Sequence, residues 1–331
     1  MKKKITIVFM VLDVVVLLVL GLMIGPLKSK LISNNLNKHV FINTLYKEKD
    51  ILNALSNKTV LKVNTKQEEE PKVIEISKSK INEYDTQILT PDSNNNNYKV
   101  MNLKIGGYDA FLVAIYDPTK VHVVSKEVLG TTYGEKLTDM CNRYGGSVCI
   151  NGGYFVDNGY GSGIPSGYVI EKGKIRWSDG DSGTTKGNII GITSDGKLKL
   201  MSKVTGKEAL AAGIVDGIEF GPFLIVDGKV QDVARNVVGG YTGAARSAIA
   251  QRRDGIILFL VTNGYHGNGP TMGQLIDSLV KYGAYNAANL DGGASASLVV
   301  KGNLLNTPRN IYGTVVTGGR TLVDGFGLVL K

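Results

Sequence analysis

The run Asn289-Leu290-Asp291-Gly292-Gly293-Ala294-Ser295-Ala296-Ser297 ends an apolar lead-in on one carboxylate, with two glycines behind it and two hydroxyls at alternate positions. A carboxylate in that setting can attack an electrophilic carbon or activate water, and glycine lets the main chain approach a substrate closely. Asp-Gly is also a frequent turn pair, so the run alone reads as a tight turn between strands. Upstream, residues 147–150 lead into Asn151-Gly152-Gly153-Tyr154-Phe155. An amide at a strand end can bind a sugar hydroxyl or a phosphate oxygen while a ring covers an apolar sugar face; the plainer reading is a glycine turn with aromatics in the core. Arg246 stands among the small residues of Ala244-Ala245-Arg246-Ser247-Ala248, which leave a guanidinium room to contact phosphate or carboxylate through two parallel bonds. An internal salt bridge is the competing role. His266, one of three histidines, lies in Thr262-Asn263-Gly264-Tyr265-His266-Gly267 after an apolar run; a lone histidine in a glycine loop is more often solvated than catalytic. Ser166, in the Gly163-Ile164-Pro165-Ser166-Gly167 stretch, opens a hairpin and is a further residue that could face a ligand.

These side chains need strand ends to deliver them. Short apolar runs stand before Lys172-Gly173, Asp195-Gly196 and Asp227-Gly228, which are hairpin signals, so the core is expected to be largely antiparallel sheet. Two segments read as helices. Residues 135–144 put Leu137, Cys141 and Tyr144 on one face, and Met272, Leu275, Ile276, Leu279 and Val280 follow helical spacing between Pro270-Thr271 and a stop at Gly283. Each helix leads into a strand that ends at a glycine motif. The strand from Ile256, the helix from Thr271 and the run to Asp291 form a strand–helix–strand unit, and Asn263 and Asp291 share a rim only if its strands are parallel. The fold class expected is α+β, a largely antiparallel sheet core with a few helices over residues 100–331.

The N-terminus adds a different kind of segment. Residues 1–4 are basic and residues 5–25 are apolar apart from Thr6 and Asp13, long enough for a transmembrane anchor with a short cytoplasmic tail. A signal peptide is the competing reading, but its apolar region is usually shorter and ends in a small-residue cleavage site. Residues 26–99 are rich in Lys, Asn, Ser and Glu and read as a stalk or linker. The working domain is thus expected outside the membrane of a single-pass protein, near phosphate-containing glycans that suit a formal charge of +9. That charge is scattered and no recognition motif accompanies it, so nucleic acid is not an expected partner. Cys141 and Cys149 can bridge or stay as buried thiols, and both readings stand.

The order Asn151-Gly152-Gly153, then Ala245-Arg246-Ser247-Ala248, then Asp291-Gly292-Gly293 with trailing serines resembles the phosphodiester glycosidase family over residues 100–331. Gly221-Pro222-Phe223-Leu224, Asn306-Thr307-Pro308 and the segment at Arg320 extend the likeness. The sequence departs from the pattern at Asn263, where the family commonly carries Asp, and at Ala294, where it carries a third glycine. The resemblance implies action on a sugar joined through C1 to a phosphodiester. Phosphate leaves readily, so such a site needs cationic and N–H stabilisation of phosphate charge and one carboxylate more than it needs a strong acid. Asp291 is assigned the carboxylate role, Arg246 the charge-stabilising role, and Glu219 that of a spare acid. Asn151, Gly152, Gly153, Asn263, His266, Gly292, Gly293, Ser295, Ser297 and Arg320 are assigned to substrate binding. No cofactor or metal is expected, with participation of a divalent cation left open. The alternative function is a non-catalytic protein that binds anionic glycan and assists its assembly. A weaker third reading is a calcium loop at Asp179-Gly180-Asp181, which lacks a full ligand pattern.

Overall fold

Strand pairings in the computed structural model are antiparallel throughout the described residues, which are 83–92, 95–157, 162–236 and 242–330. The anchor expected at 5–25 and most of the expected stalk lie outside them. Among the described residues no helix is long and apolar enough to cross a membrane.

The chain enters through helix α1 (Glu83–Leu89), then strands β1 (Tyr98–Ile105), β2 (Tyr108–Ile115), β3 (Val121–Ser125) and β4 (Glu135–Lys136). Helix α2 (Leu137–Arg143) precedes β5 (Gly146–Asn151), β6 (Val169–Glu171), β7 (Lys174–Trp177), β8 (Lys186–Thr193) and β9 (Leu198–Thr205). Helix α3 (Gly206–Ala211) follows, then β10 (Ile214–Glu219), β11 (Phe223–Val226), β12 (Lys229–Val230), β13 (Ser247–Arg252) and β14 (Ile257–Thr262). After helix α4 (Met272–Lys281) come β15 (Ala284–Leu290), β16 (Leu298–Val300), β17 (Asn303–Leu304), β18 (Thr321–Leu322) and β19 (Asp324–Val329).

Three sheets carry the fold: a seven-stranded one in the order β1-β2-β14-β13-β15-β11-β12, and two five-stranded ones, β7-β6-β10-β8-β9 and β17-β16-β5-β19-β3. Their inner faces share one core, which includes Val113, Val123, Ile150, Ile190, Ile218, Ile249, Leu290 and Phe326. Helices cover outer faces. α1 and α4 bury Ile88, Met272, Leu275, Ile276 and Leu279 against the seven-stranded sheet, α2 covers the β5 sheet, and α3 covers the β8 sheet. The expected hairpins form where the sequence put them, and at Lys172-Gly173 and Asp227-Gly228 both turn residues have positive φ, matching the right-handed strand twist. Helix α4 starts at a capping box in which Thr271 accepts from the Gln274 N–H and Gln274 accepts from the Thr271 N–H.

Two sequence expectations change or resolve here. α1 lies inside the stretch read as linker, yet it packs on the domain: Ile88 is fully buried, Arg252 pairs with Asp85 at 2.8 Å, and the Tyr116 hydroxyl donates to the Ile88 carbonyl. The folded domain therefore begins upstream of residue 100. Cys141 on α2 and Cys149 on β5 form a disulfide, which fastens the helix to the strand that ends at Asn151.

The strand–helix–strand unit meets its parallel condition indirectly. β13 lies between β14 and β15 and is antiparallel to both, so those two run in the same direction. Asn263 and Asp291 leave the sheet at the rim where β13 enters it, with Ser247 opposite both Val261 and Leu290. Asn151, Arg246 and Asp291, far apart in sequence, reach one end of the fold.

Candidate active site

Asn151 is the hub of that end. Its amide oxygen accepts the Ser247 hydroxyl at 2.8 Å and the Ser297 N–H at 3.1 Å, while its amide N–H donates to the Asp291 carbonyl at 2.6 Å. It is fully buried, and both ends of its amide serve the protein. The expected substrate contact becomes a brace that joins the three motifs. The Gly152 carbonyl accepts the Asp291 N–H at 2.9 Å, and Gly293 donates to the Ala245 carbonyl at 2.9 Å. Gly292 has no room for a side chain, since a Cβ would stand 2.8 Å from the Ala245 carbonyl oxygen.

Asp291 is partly buried and keeps some surface in solvent. Burial pushes its carboxyl up to about 6; the Ser295 hydroxyl, the charge of Arg320 and the Gly292 N–H oppose that rise, and Asp157 adds to it. Ser295 is thereby committed to Asp291. Ser297 is fully enclosed near Gly319, and its hydroxyl has no hydrogen-bond partner among the described residues.

The cation whose charge bears on Asp291 is Arg320, which also pairs with Asp157 at 2.7 Å and lies 4.6 Å from the centre of the Phe155 ring. The sequence reading gave that place to Arg246. Side chains alternate along β13: Ile249 faces the inner core, whereas Ala248 and Ala250 face α4. Arg246, in phase with Ala248, follows the second set, and its Nε donates to the Pro270 carbonyl just before α4 at 3.2 Å. The residue is only 6% exposed, burial lowers its pKa, and its Nη2 has no partner among the described residues. A buried guanidinium with an idle donor is costly unless an anion completes it. His266 is its neighbour: burial and the Arg246 charge depress the imidazole, and a Cβ on Gly293 would lie 3.5 Å from His266 Nε2. His266 therefore links Arg246 to the loop behind Asp291.

Other assignments move further. Asn263 accepts the Thr307 N–H at 2.8 Å and so anchors a neighbouring loop instead of projecting a contact. Glu219 lies past Gly153, where a Cβ would come within 2.7 Å of its carbonyl oxygen. Burial and Asp179 raise its carboxyl, whose oxygens would be 2.4 and 2.1 Å from a Cβ on Gly167 and Gly187. Only glycines fit around it. The loop of the calcium reading spends its oxygens locally: Asp179 accepts from Gly167 N–H and Trp177 Nε1, and Asp181 accepts from Gly183 N–H. Ser166 lies 3.5 Å from Asp179. No group of three metal-ligating side chains occurs among the described residues.

One acid escaped the sequence reading. Asp324 starts β19, is 3% exposed, and accepts the Gly153 N–H at 2.7 Å. Burial and the nearby Asp291 charge push it up to about 7, against the pull of the Gly153 N–H. A sequence signal exists in Val323-Asp324-Gly325-Phe326-Gly327, where an acid interrupts an otherwise apolar terminal strand.

With this geometry established, known proteins give a frame. The phosphodiester glycosidase family model matches residues 144–329. The SPbeta prophage-derived uncharacterized protein YomE of Bacillus subtilis (strain 168) is 27% identical over 196 residues, which make up 58% of this chain and 30% of that protein. The chain thus spans under a third of that relative. The zebrafish N-acetylglucosamine-1-phosphodiester alpha-N-acetylglucosaminidase catalytic domain, solved auto-inhibited by its pro-peptide, superposes with a TM-score of 0.58 at 20% identity, covering 72% of this chain and 86% of that one. At that identity the likeness concerns the fold.

Proposed function

The chain belongs to the phosphodiester glycosidase family, and from that premise we propose that it hydrolyses the bond between a sugar C1 and a phosphodiester oxygen. The observation that carries this reading is the Asp291 carboxyl, on a residue that keeps some surface in solvent, with its ionised form supported by Ser295, Arg320 and Gly292. Near neutral pH it is ionised and can act on C1 directly or take a proton from the water that does. The C1–O bond breaks, its electron pair leaves with the phosphate monoester, and the water oxygen ends on C1. Phosphate leaves without a strong acid to protonate it. Arg246, whose Nη2 has no partner among the described residues, and Arg320 would share the diester charge, and His266, beside Arg246 and Gly293, would orient the sugar-phosphate.

The name of the zebrafish enzyme specifies an N-acetylglucosamine 1-phosphodiester, which is the same class of bond. For this chain the proposed setting is an envelope or exopolysaccharide glycan, reached from a single-pass anchor at residues 5–25, with the domain extracytoplasmic. The net charge of +9 supports a polyanionic substrate.

The test is sugar release by the full chain from synthetic sugar 1-phosphodiesters, nucleotide sugars and wall polymers. Asp291→Asn should remove turnover with the fold intact, and unchanged turnover removes Asp291 from the mechanism. Tight binding of the polymers without release of sugar by the wild type would favour the non-catalytic glycan-binding alternative.

A further inference from the structure

Asp324 holds the Asn151-Gly152-Gly153 turn with both its main chain and its side chain. Its carbonyl accepts the Gly152 N–H at 3.0 Å, and its Oδ1 accepts the Gly153 N–H at 2.7 Å. Gly152 must be glycine here, because a Cβ would stand 2.1 Å from Asp324 Oδ1. The same Gly152 offers its carbonyl to the Asp291 N–H at 2.9 Å. One glycine therefore separates the segments that carry the two acids, and the charge of Asp291 reaches Asp324.

We propose that Asp324 is a positioning residue for Asp291: it stays a neutral acid during turnover, fixes the turn under Asp291, and leaves Asp291 the single negative charge of the pair. The inference rests on the role given to Asp291 above. Its chemistry follows from the surroundings of each carboxyl. Asp291 has Arg320, the Ser295 hydroxyl and the Gly292 N–H to support its charge, with Asp157 opposing. Asp324 has one N–H, complete burial and the charge of Asp291 against it. On the β3 side its strand partner is Ser125, which is occupied by the Glu171–Arg176 ion pair. More groups support a charge on Asp291 than on Asp324, so the first proton of the pair leaves Asp291, and burial together with that charge holds Asp324 protonated to higher pH. Between those two steps the pair carries one charge. Once Asp324 ionises, a second charge stands beside Asp291, where a negative diester has to bind, and like charges disfavour the complex.

The experiment pairs a carboxyl-carbon NMR titration of the aspartates with kcat/KM against pH, on the full chain, its Asp324→Asn variant and its Asp291→Asn variant. In the wild type, the Asp324 carbon should titrate near 7, and kcat/KM should fall through that titration to a lower level. Asp324→Asn keeps an oxygen for the Gly153 N–H but cannot ionise. Its Asp291 carbon should still titrate near 6, and its rate should stay level above pH 7. Asp291→Asn should move the Asp324 titration downward. An Asp324 carbon that titrates in the ordinary carboxylate range overturns the proposal, as does an unchanged alkaline fall in Asp324→Asn. The wild-type titration decides alone if Asp324→Asn fails to fold. Absence of turnover on every diester with the two titrations coupled as described would instead strike the hydrolase reading and leave the acid pair standing.

Discussion

Asp291→Asn should stabilise the fold at alkaline pH while it abolishes turnover. The folded carboxyl is raised from its ordinary 3.8 to about 6, so ionising it costs more in the folded state than in the unfolded one. Below the unfolded value both states are protonated and nothing is lost. As pH rises from there through the folded value the penalty grows, and above it the penalty is complete. Two pH units at about 1.4 kcal/mol each give about 3 kcal/mol as a ceiling. Partial contact with solvent lowers the expectation to about 1–3 kcal/mol. Asparagine is the same size and carries no charge, so the variant escapes the penalty. For a domain this large that is a rise in Tm of about 3–10 °C at pH 8. Thermal unfolding of wild type and variant at pH 3.5, 5, 6.5 and 8 (about one and a half units apart, spanning both values) measures it. The gap should open with pH and approach zero at the acid end. A variant less stable than wild type at pH 8, or a gap that ignores pH, would refute the claim that Asp291 is held ionised at a structural cost.

Other perturbations separate braces from contacts. Asn151→Ala should lower stability by about 3–5 kcal/mol in urea unfolding, because it orphans the Ser247 hydroxyl, the Ser297 N–H and the Asp291 carbonyl in the interior; a loss below about 1 kcal/mol would mean the hub is dispensable. Arg246→Met should leave stability within about 1 kcal/mol, since it gives up one hydrogen bond, Nε to the Pro270 carbonyl, and relieves a buried charge whose Nη2 has no partner among the described residues, while kcat/KM on a sugar 1-phosphodiester falls by about a hundredfold or more. A large stability loss with normal turnover would make that guanidinium structural. Reduction of Cys141–Cys149, eight residues apart in sequence, should cost about 2.5 kcal/mol on a loop-entropy argument, read as a shift of the denaturant midpoint under thiol.

Local chemistry was legible in the chain. Lys172-Gly173 and Asp227-Gly228 became hairpin turns because a turn at positive φ needs only its own residues to form. The spacing of Met272, Leu275, Ile276 and Leu279, begun at Thr271, became α4 for the same reason. The glycine motifs were readable as strand ends, and Asn151 and Asp291 do meet. Less was visible at the other end of the domain, where the polar composition before residue 98 concealed α1: a helix of seven residues with one buried aliphatic side chain leaves little periodicity.

The sequence by itself determined which acids, amides and cations were available, the antiparallel character of the sheets, and the family resemblance. The tertiary structure decided what each faces. Arg246 and Ser247 are neighbours in the chain, but the pleat of β13 sends one toward α4 and the other to Asn151, so Arg320 is the guanidinium that bears on Asp291. Asp324 becomes a partner of Asp291 only because β19 pairs with β5 and brings its first residue against Gly152 and Gly153. Strand order and register are long-range choices set by closing three sheets on one core, and no local window of residues contains them.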